Sequence, residues 1–200
     1  LNTALDRLED RGLLQWDRQT NRYDLHPVVR AYAFERLSAD RRAQVYGRIR
    51  DHFSGQPEED PAQVNEVDDL RRSLEIYYAL LGAGLLDEAA SFYRGGLSKV
   101  LLFELNASTA VLELLRPLFP DGFAALPALR DADDQGYIVN ELSIALSYLG
   151  RDEESLAAQA LTLQIDVGRE GAFDLRAGLH NYRNSLANLN RLAGAARATA

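Results

Sequence analysis

The chain has no cysteine and no methionine, and it holds one lysine and one tryptophan among 200 residues. Without cysteine there are no disulfides, no thiolate metal sites and no thiol nucleophile, which suits a reducing compartment. Without methionine, and with Leu1 first, the sequence reads as a segment of a longer parent protein, or as a chain that has lost its initiator. The lone Lys99 is followed by Val100, and no stretch has the Gly-x-x-x-x-Gly-Lys-Ser/Thr pattern, so this sequence contains no phosphate-cradling loop. Apolar runs fall short of the ~18 residues that span a bilayer, and Leu1 to Arg11 lacks the layout of a signal peptide. The expected setting is therefore the cytoplasm, with no membrane partner.

What is present describes a foldable globular chain: 46% hydrophobic, 26% charged, with a formal charge of -8. That charge is unevenly placed. Residues 1–50 carry a net +3 and residues 51–200 a net -11. An acidic body disfavours nucleic acid, which rewards clustered positive charge.

Leucines 1, 5 and 8 recur at helical spacing, and Arg11-Gly12 supplies a basic last turn and a stop. Residues 13–17 and 23–26 flank the polar tip Arg18-Gln19-Thr20-Asn21-Arg22, which predicts a short β-hairpin. Pro27 then fits the first position of a helix carrying Val28, Val29, Tyr32, Phe34 and Leu37. Ser38 can cap a further helix with an apolar stripe of Val45, Tyr46, Ile49 and Phe53. The expected division is residues 1–53 as the first domain, 54–67 as an acidic, proline-bearing linker, and 68–200 as helical repeats. In that last part breaks are expected at Gly82 to Gly84, Gly95-Gly96, Asn106, Pro117 to Gly122, Gly150, Gly168 to Gly171 and Gly194.

The repeats show in self-comparison. Asn140-x-Leu142-x-x-Ala145-Leu146-x-x-Leu149-Gly150 recurs 44 residues later as Asn184-x-Leu186-x-x-Leu189-Asn190-x-x-Ala193-Gly194. A partial third copy contains Ile76, Leu80, Gly84, Glu88, Ala89 and Tyr93, at an offset of 66 from Gly150. Each copy reads as helix, glycine turn, helix, a unit that buries its apolar face by stacking on neighbours. The fold class expected is mainly α: one β-hairpin among helices, then an α-solenoid of helix pairs, incomplete at residue 200.

The run Leu5 to Leu37, above all Tyr23-Asp24-Leu25-His26-Pro27-Val28-Val29-Arg30, resembles the winged-helix end of an NB-ARC switch, the STAND class of signalling ATPases found in bacteria. The helical copies from about residue 68 resemble tetratricopeptide repeats of the kinesin-light-chain type. The resemblance implies a non-catalytic sensor fragment. Its repeats would bind a protein, a peptide or another ligand, and its winged helix would couple to an upstream nucleotide-binding domain in cis that holds ATP or ADP. It also implies that His26 contacts an ADP phosphate in the parent, although the acid that follows the histidine in that family is here Pro27. The residues alone allow another role for His26, as a cap or packing group at the hairpin-helix junction.

Other chemistry finds little footing. His26, His52 and His180 lack metal-ligand spacing, and the acid clusters at 58–60, 131–134 and 152–154 lack the alternating ligands of a calcium loop. Asp131 to Asp134 instead suit a helix start near Gln135. A winged helix raises DNA binding through Arg7, Arg11, Arg18 and Arg22, but Asp6, Glu9, Asp10 and Asp17 interleave with them. A DNA-binding regulator and a plain interaction scaffold stand as the alternatives. The final helix pattern sets Asn181, Asn184, Asn188 and Arg191 opposite the stripe of Leu179, Tyr182, Leu186 and Leu189. Asparagine is a poor helix former, so the row suggests a peptide-binding face, aligned with Asn140 of the preceding copy, or a contact with a further repeat.

Overall fold

The computed structural model describes residues 2–17, 22–167, 182–183 and 186–187. The protein is mainly helical, with one two-stranded antiparallel sheet among the described residues. It divides into two compact units, residues 1–46 and 47–200.

In the first unit α1 (Asn2–Glu9) is closed by Gly12, whose φ of 65° is one that only glycine adopts freely. The Leu13 N–H reaches back to the Leu8 carbonyl at 2.9 Å, which completes the turn. β1 (Leu14–Asp17) then pairs with β2 (Arg22–Leu25), Leu14 opposite Leu25 and Trp16 opposite Tyr23. The Trp16 and Tyr23 rings stack with centroids 5.7 Å apart. Pro27 opens α2 (Pro27–Glu35), as its fixed φ and missing N–H allow. α3 (Ala39–Ser54) starts where the Ser38 carbonyl accepts the Arg42 N–H, and it runs across the division between the units. Within the first unit Phe34 meets Tyr46 edge to face, and Arg42 lies over the Phe34 ring.

Residues 54–67, expected as a linker, are fastened to the second unit. The Arg72 Nε donates to the carbonyls of Phe53 and Gln56 at 2.9 and 3.0 Å, so a cation neutralises the carbonyl end of α3. Glu59 accepts the backbone N–H and the hydroxyl of Ser73, both at 2.8 Å. Burial alone would raise the Glu59 carboxyl, but these bonds and the Arg72 charge outweigh it and hold it below the usual range.

Two helix pairs follow. α4 (Arg71–Gly82) turns at Gly84 into α5 (Leu86–Phe92), and α7 (Ala132–Tyr148) turns at Gly150 into α8 (Asp152–Val167). The turns match: φ is 76° at Gly84 and 70° at Gly150, with Leu85 N–H to Leu80 carbonyl at 3.0 Å and Arg151 N–H to Leu146 carbonyl at 2.9 Å. Asp131 caps α7 by accepting the N–H groups of Asp133 and Asp134, so the helix starts slightly before the expected Gln135. Between the pairs α6 (Ser108–Leu115) follows a turn at Asn106, and its Leu114 carbonyl accepts the buried Tyr77 hydroxyl at 2.7 Å. The core gathers Ile76, Leu80, Leu101, Leu115, Leu142 and Leu146, each 4% exposed or less. Full burial of one such side chain stabilises by about 1.5–3 kcal/mol.

The expected breaks at Gly168 to Gly171 and Gly194 lie outside the described residues, and one of the others is absent. Gly95-Gly96 does not end α5: the helix widens over Tyr93–Leu97 and again over Val100–Glu104, where N–H groups bond five residues back instead of four. The apolar residues Tyr93, Leu97, Leu101 and Leu102 are all buried, and their packing holds the helix together through two poor helix formers.

Candidate functional site

The first wide turn builds the most unusual polar arrangement in the second unit. In an ordinary α-helix, residues five apart point in different directions. Here the Ser98 N–H bonds to the Tyr93 carbonyl, and the widened turn sets the two side chains one above the other. Both hydroxyls then converge on one carboxylate oxygen. Ser98 Oγ donates to Glu141 Oε2 at 2.6 Å, and the Tyr93 hydroxyl donates to the same oxygen at 3.3 Å. The Tyr137 hydroxyl lies 2.7 Å from Ser98 Oγ. Since Ser98 uses its proton toward the carboxylate, Tyr137 must donate to Ser98.

Glu141 is 3% exposed, on the face of α7 that also buries Ile138, Leu142 and Ala145. Burial raises its carboxyl above the usual range, and the Ser98 and Tyr93 hydroxyls offset this only in part. Burial and then the Glu141 charge push the Tyr93 hydroxyl far up, so it remains a donor. Arg94 lies over the Tyr137 ring: its guanidinium is 4.9 Å from the ring centroid and 3.2 Å from Asp134 Oδ1. The cluster joins α5 to α7. A general acid or base needs access to substrate, and this carboxylate is enclosed by the core.

The same turn borders a cavity of about 330 Å³, lined by apolar residues of this helical run and of the segment before α4 together with Glu58, Glu59, Arg72 and Ser73. Sequence reading named neither feature as a site. A charged residue on a core stripe, Glu141 three places after Ile138, was the available signal for the first; the glycine pair was the signal for the second.

His26 is exposed and stands before the first turn of α2, where its Nδ1 accepts the Val28 N–H at 3.3 Å and its own N–H bonds to the Leu13 carbonyl at 3.0 Å. Nδ1 as acceptor places the proton of a neutral ring on Nε2, which is left to donate elsewhere. Asn140 is half-buried on α7 beside Glu141, with no side-chain hydrogen bond to another described residue. Asn181, Asn184, Asn188 and Arg191 lie outside the described residues, so the structure does not place the asparagine row. Among the described residues no cluster of three or more histidines and acids has the arrangement of a metal site, and no helix is long and apolar enough to cross a membrane.

No family model matches the chain, and neither does any of the curated proteins or solved structures with which it was compared.

Proposed function

We propose that this chain is a non-catalytic recognition and sensing part of a STAND-type nucleotide-switch protein. Tetratricopeptide-like helix pairs in its second unit bind a protein, a peptide or another ligand. A winged-helix element in its first unit couples that binding to an upstream domain holding ATP or ADP. The observation that carries this reading is the recurrence of one supersecondary unit. Ile76, Leu80, Gly84 and Leu85 have their counterparts 66 residues later in Leu142, Leu146, Gly150 and Arg151, with the same left-handed glycine and the same closing bond. A unit of that kind buries one face by stacking and leaves another for recognition.

The first unit supports the coupling half. Its helix, hairpin and helix follow the order that a winged helix requires, and it leaves large apolar side chains uncovered: Val28 is 68% exposed, Tyr32 55% and Tyr23 48%. So much apolar surface on some 46 residues suits a partner domain in cis. The Nε2–H of His26, at the start of α2, is the kind of donor that a phosphate accepts.

Two measurements test the reading. The 200-residue chain should release no phosphate from ATP above the buffer rate, and turnover would sink the non-catalytic half. In the parent protein carrying its nucleotide-binding domain, His26→Ala should speed ADP release. An unchanged release rate would sink the coupling half.

A further inference from the structure

Gly95 and Gly96 sit side by side inside a continuous helix, where each costs about 1 kcal/mol relative to alanine. Neither has the positive φ that would demand glycine. A Cβ built on either would meet nothing within 4 Å, so close packing does not demand glycine either. What both do is line the cavity of about 330 Å³, together with Phe92, Leu97 and Val100 of the same helical run and Leu70 across from them. Both glycines are exposed, and a side chain at either would meet open space at the wall of this cavity. Its volume lies at the small end of the ~300–1,000 Å³ usual for small-molecule sites.

The charged lining sets the sign of the ligand. Arg72 is engaged by the carbonyls of Phe53 and Gln56 and stands 3.8 Å from Glu59, while Glu59 is held by Ser73. Glu58 is exposed, lines the cavity, and has no hydrogen-bond or ion-pair partner among the described residues. The lining holds one guanidinium and two carboxylates, and among the described residues Glu58 is an acceptor without a donor. An anion would meet net negative charge here, and a neutral molecule would leave Glu58 as it stands.

We propose that this cavity binds a small amine, its apolar body against Gly95 and Gly96 and its cationic head on Glu58. The glycines keep open the volume that the ligand fills. The wide turn that presents them is the same turn that holds Ser98 and Tyr93 on Glu141, so the site lies on a structural joint of the second unit. This gives the sensing reading a ligand class and rests on that reading for its role in the parent.

The test is a set of titrations into the isotopically labelled 200-residue chain at neutral pH, following the backbone amides of Gly95 and Gly96 by NMR. n-Hexylammonium should shift both saturably, with hexan-1-ol about tenfold weaker and hexanoate weaker again. Glu58→Gln should bring the ammonium down to the affinity of the alcohol. Gly96→Leu should abolish binding of all three probes with the melting temperature equal or higher, because leucine is the better helix former. Acetyl-lysine amide should bind less well than n-hexylammonium, since its peptide groups would enter an apolar space without partners. The proposal is overturned by any of four results: no saturable shift up to about 10 mM ammonium, equal affinity for ammonium and hexanoate, undiminished binding in Gly96→Leu, or tighter binding of the lysine amide. None of these bears on ADP release in His26→Ala, so failure here and failure of the nucleotide coupling are told apart.

Discussion

Ser98 Oγ lies 2.6 Å from Glu141 Oε2, a bond that spans 43 residues of sequence and closes over a carboxylate that has no ion pair among the described residues. Ser98→Ala should therefore cost about 1–3 kcal/mol in urea denaturation, because it removes the shortest donor to a buried acid. The same change combined with Glu141→Gln should cost less than the sum of the two single changes, as contacting residues do.

The pH dependence follows from the same pair. Burial sets the folded pKa of Glu141 above its unfolded value, so its contribution to stability is present at low pH and is lost as pH rises through the folded value. Glutamine does not ionise. Glu141→Gln should thus gain on the wild type as pH rises from the ordinary carboxylate range toward neutrality. A wild type and a variant whose stabilities run parallel across that interval would show that Glu141 keeps one protonation state throughout.

Alanine in place of glycine should act with opposite signs at two kinds of position. Gly84 and Gly150 have φ of 76° and 70°, and Ala there should destabilise by about 1–2 kcal/mol through left-handed strain alone, as no atom lies within 4 Å of the new Cβ. Gly95 and Gly96 have no such φ, and Ala there should stabilise by about 0.5–1 kcal/mol. Thermal melts of the four variants check this, and a loss at Gly95 or Gly96 would mean that the wide turn itself requires glycine.

Tyr77 is fully buried, and its hydroxyl donates to the Leu114 carbonyl at 2.7 Å, tying α4 to α6. Tyr77→Phe should cost about 1–3 kcal/mol, since the carbonyl is left without that donor. Tyr78, half exposed, is the control, and its Phe variant should be near neutral. Far-ultraviolet circular dichroism is the probe for both, because the single tryptophan, Trp16, lies in the other unit.

The features that local chemistry dictates were legible in the sequence. Gly12, Pro27, Gly84, Asp131 and Gly150 each impose a backbone state or satisfy free N–H groups within a few residues, and the structure turns or starts a helix at each. The features that depend on distant partners were not legible. Gly95-Gly96 reads as a break until Leu97, Leu101 and Leu102 are seen to be buried against the core. Residues 54–67 read as a linker until Glu59 is found on Ser73 and Arg72 on the end of α3. Glu141 reads as one more acid because the hydroxyls that hold it come from 43 and 48 residues away. Of the expected partner-binding residues only Asn140 is placed by the described structure.

His26 carries two roles that one pair of substitutions separates. As the cap of α2 its Nδ1 accepts the Val28 N–H, and His26→Ala should lower the stability of the first unit by about 0.5–2 kcal/mol, read from Trp16 fluorescence. Aspartate is among the best caps and also favours the positive end of the helix, so His26→Asp should restore that stability. A phosphate contact needs a donor, and a carboxylate in its place would repel the anion. In the parent protein both variants should then release a fluorescent ADP analogue faster than the wild type, the Asp variant fastest. If the Asp variant instead releases ADP at the wild-type rate while the Ala variant does not, the imidazole serves the helix and the phosphate is held by other residues.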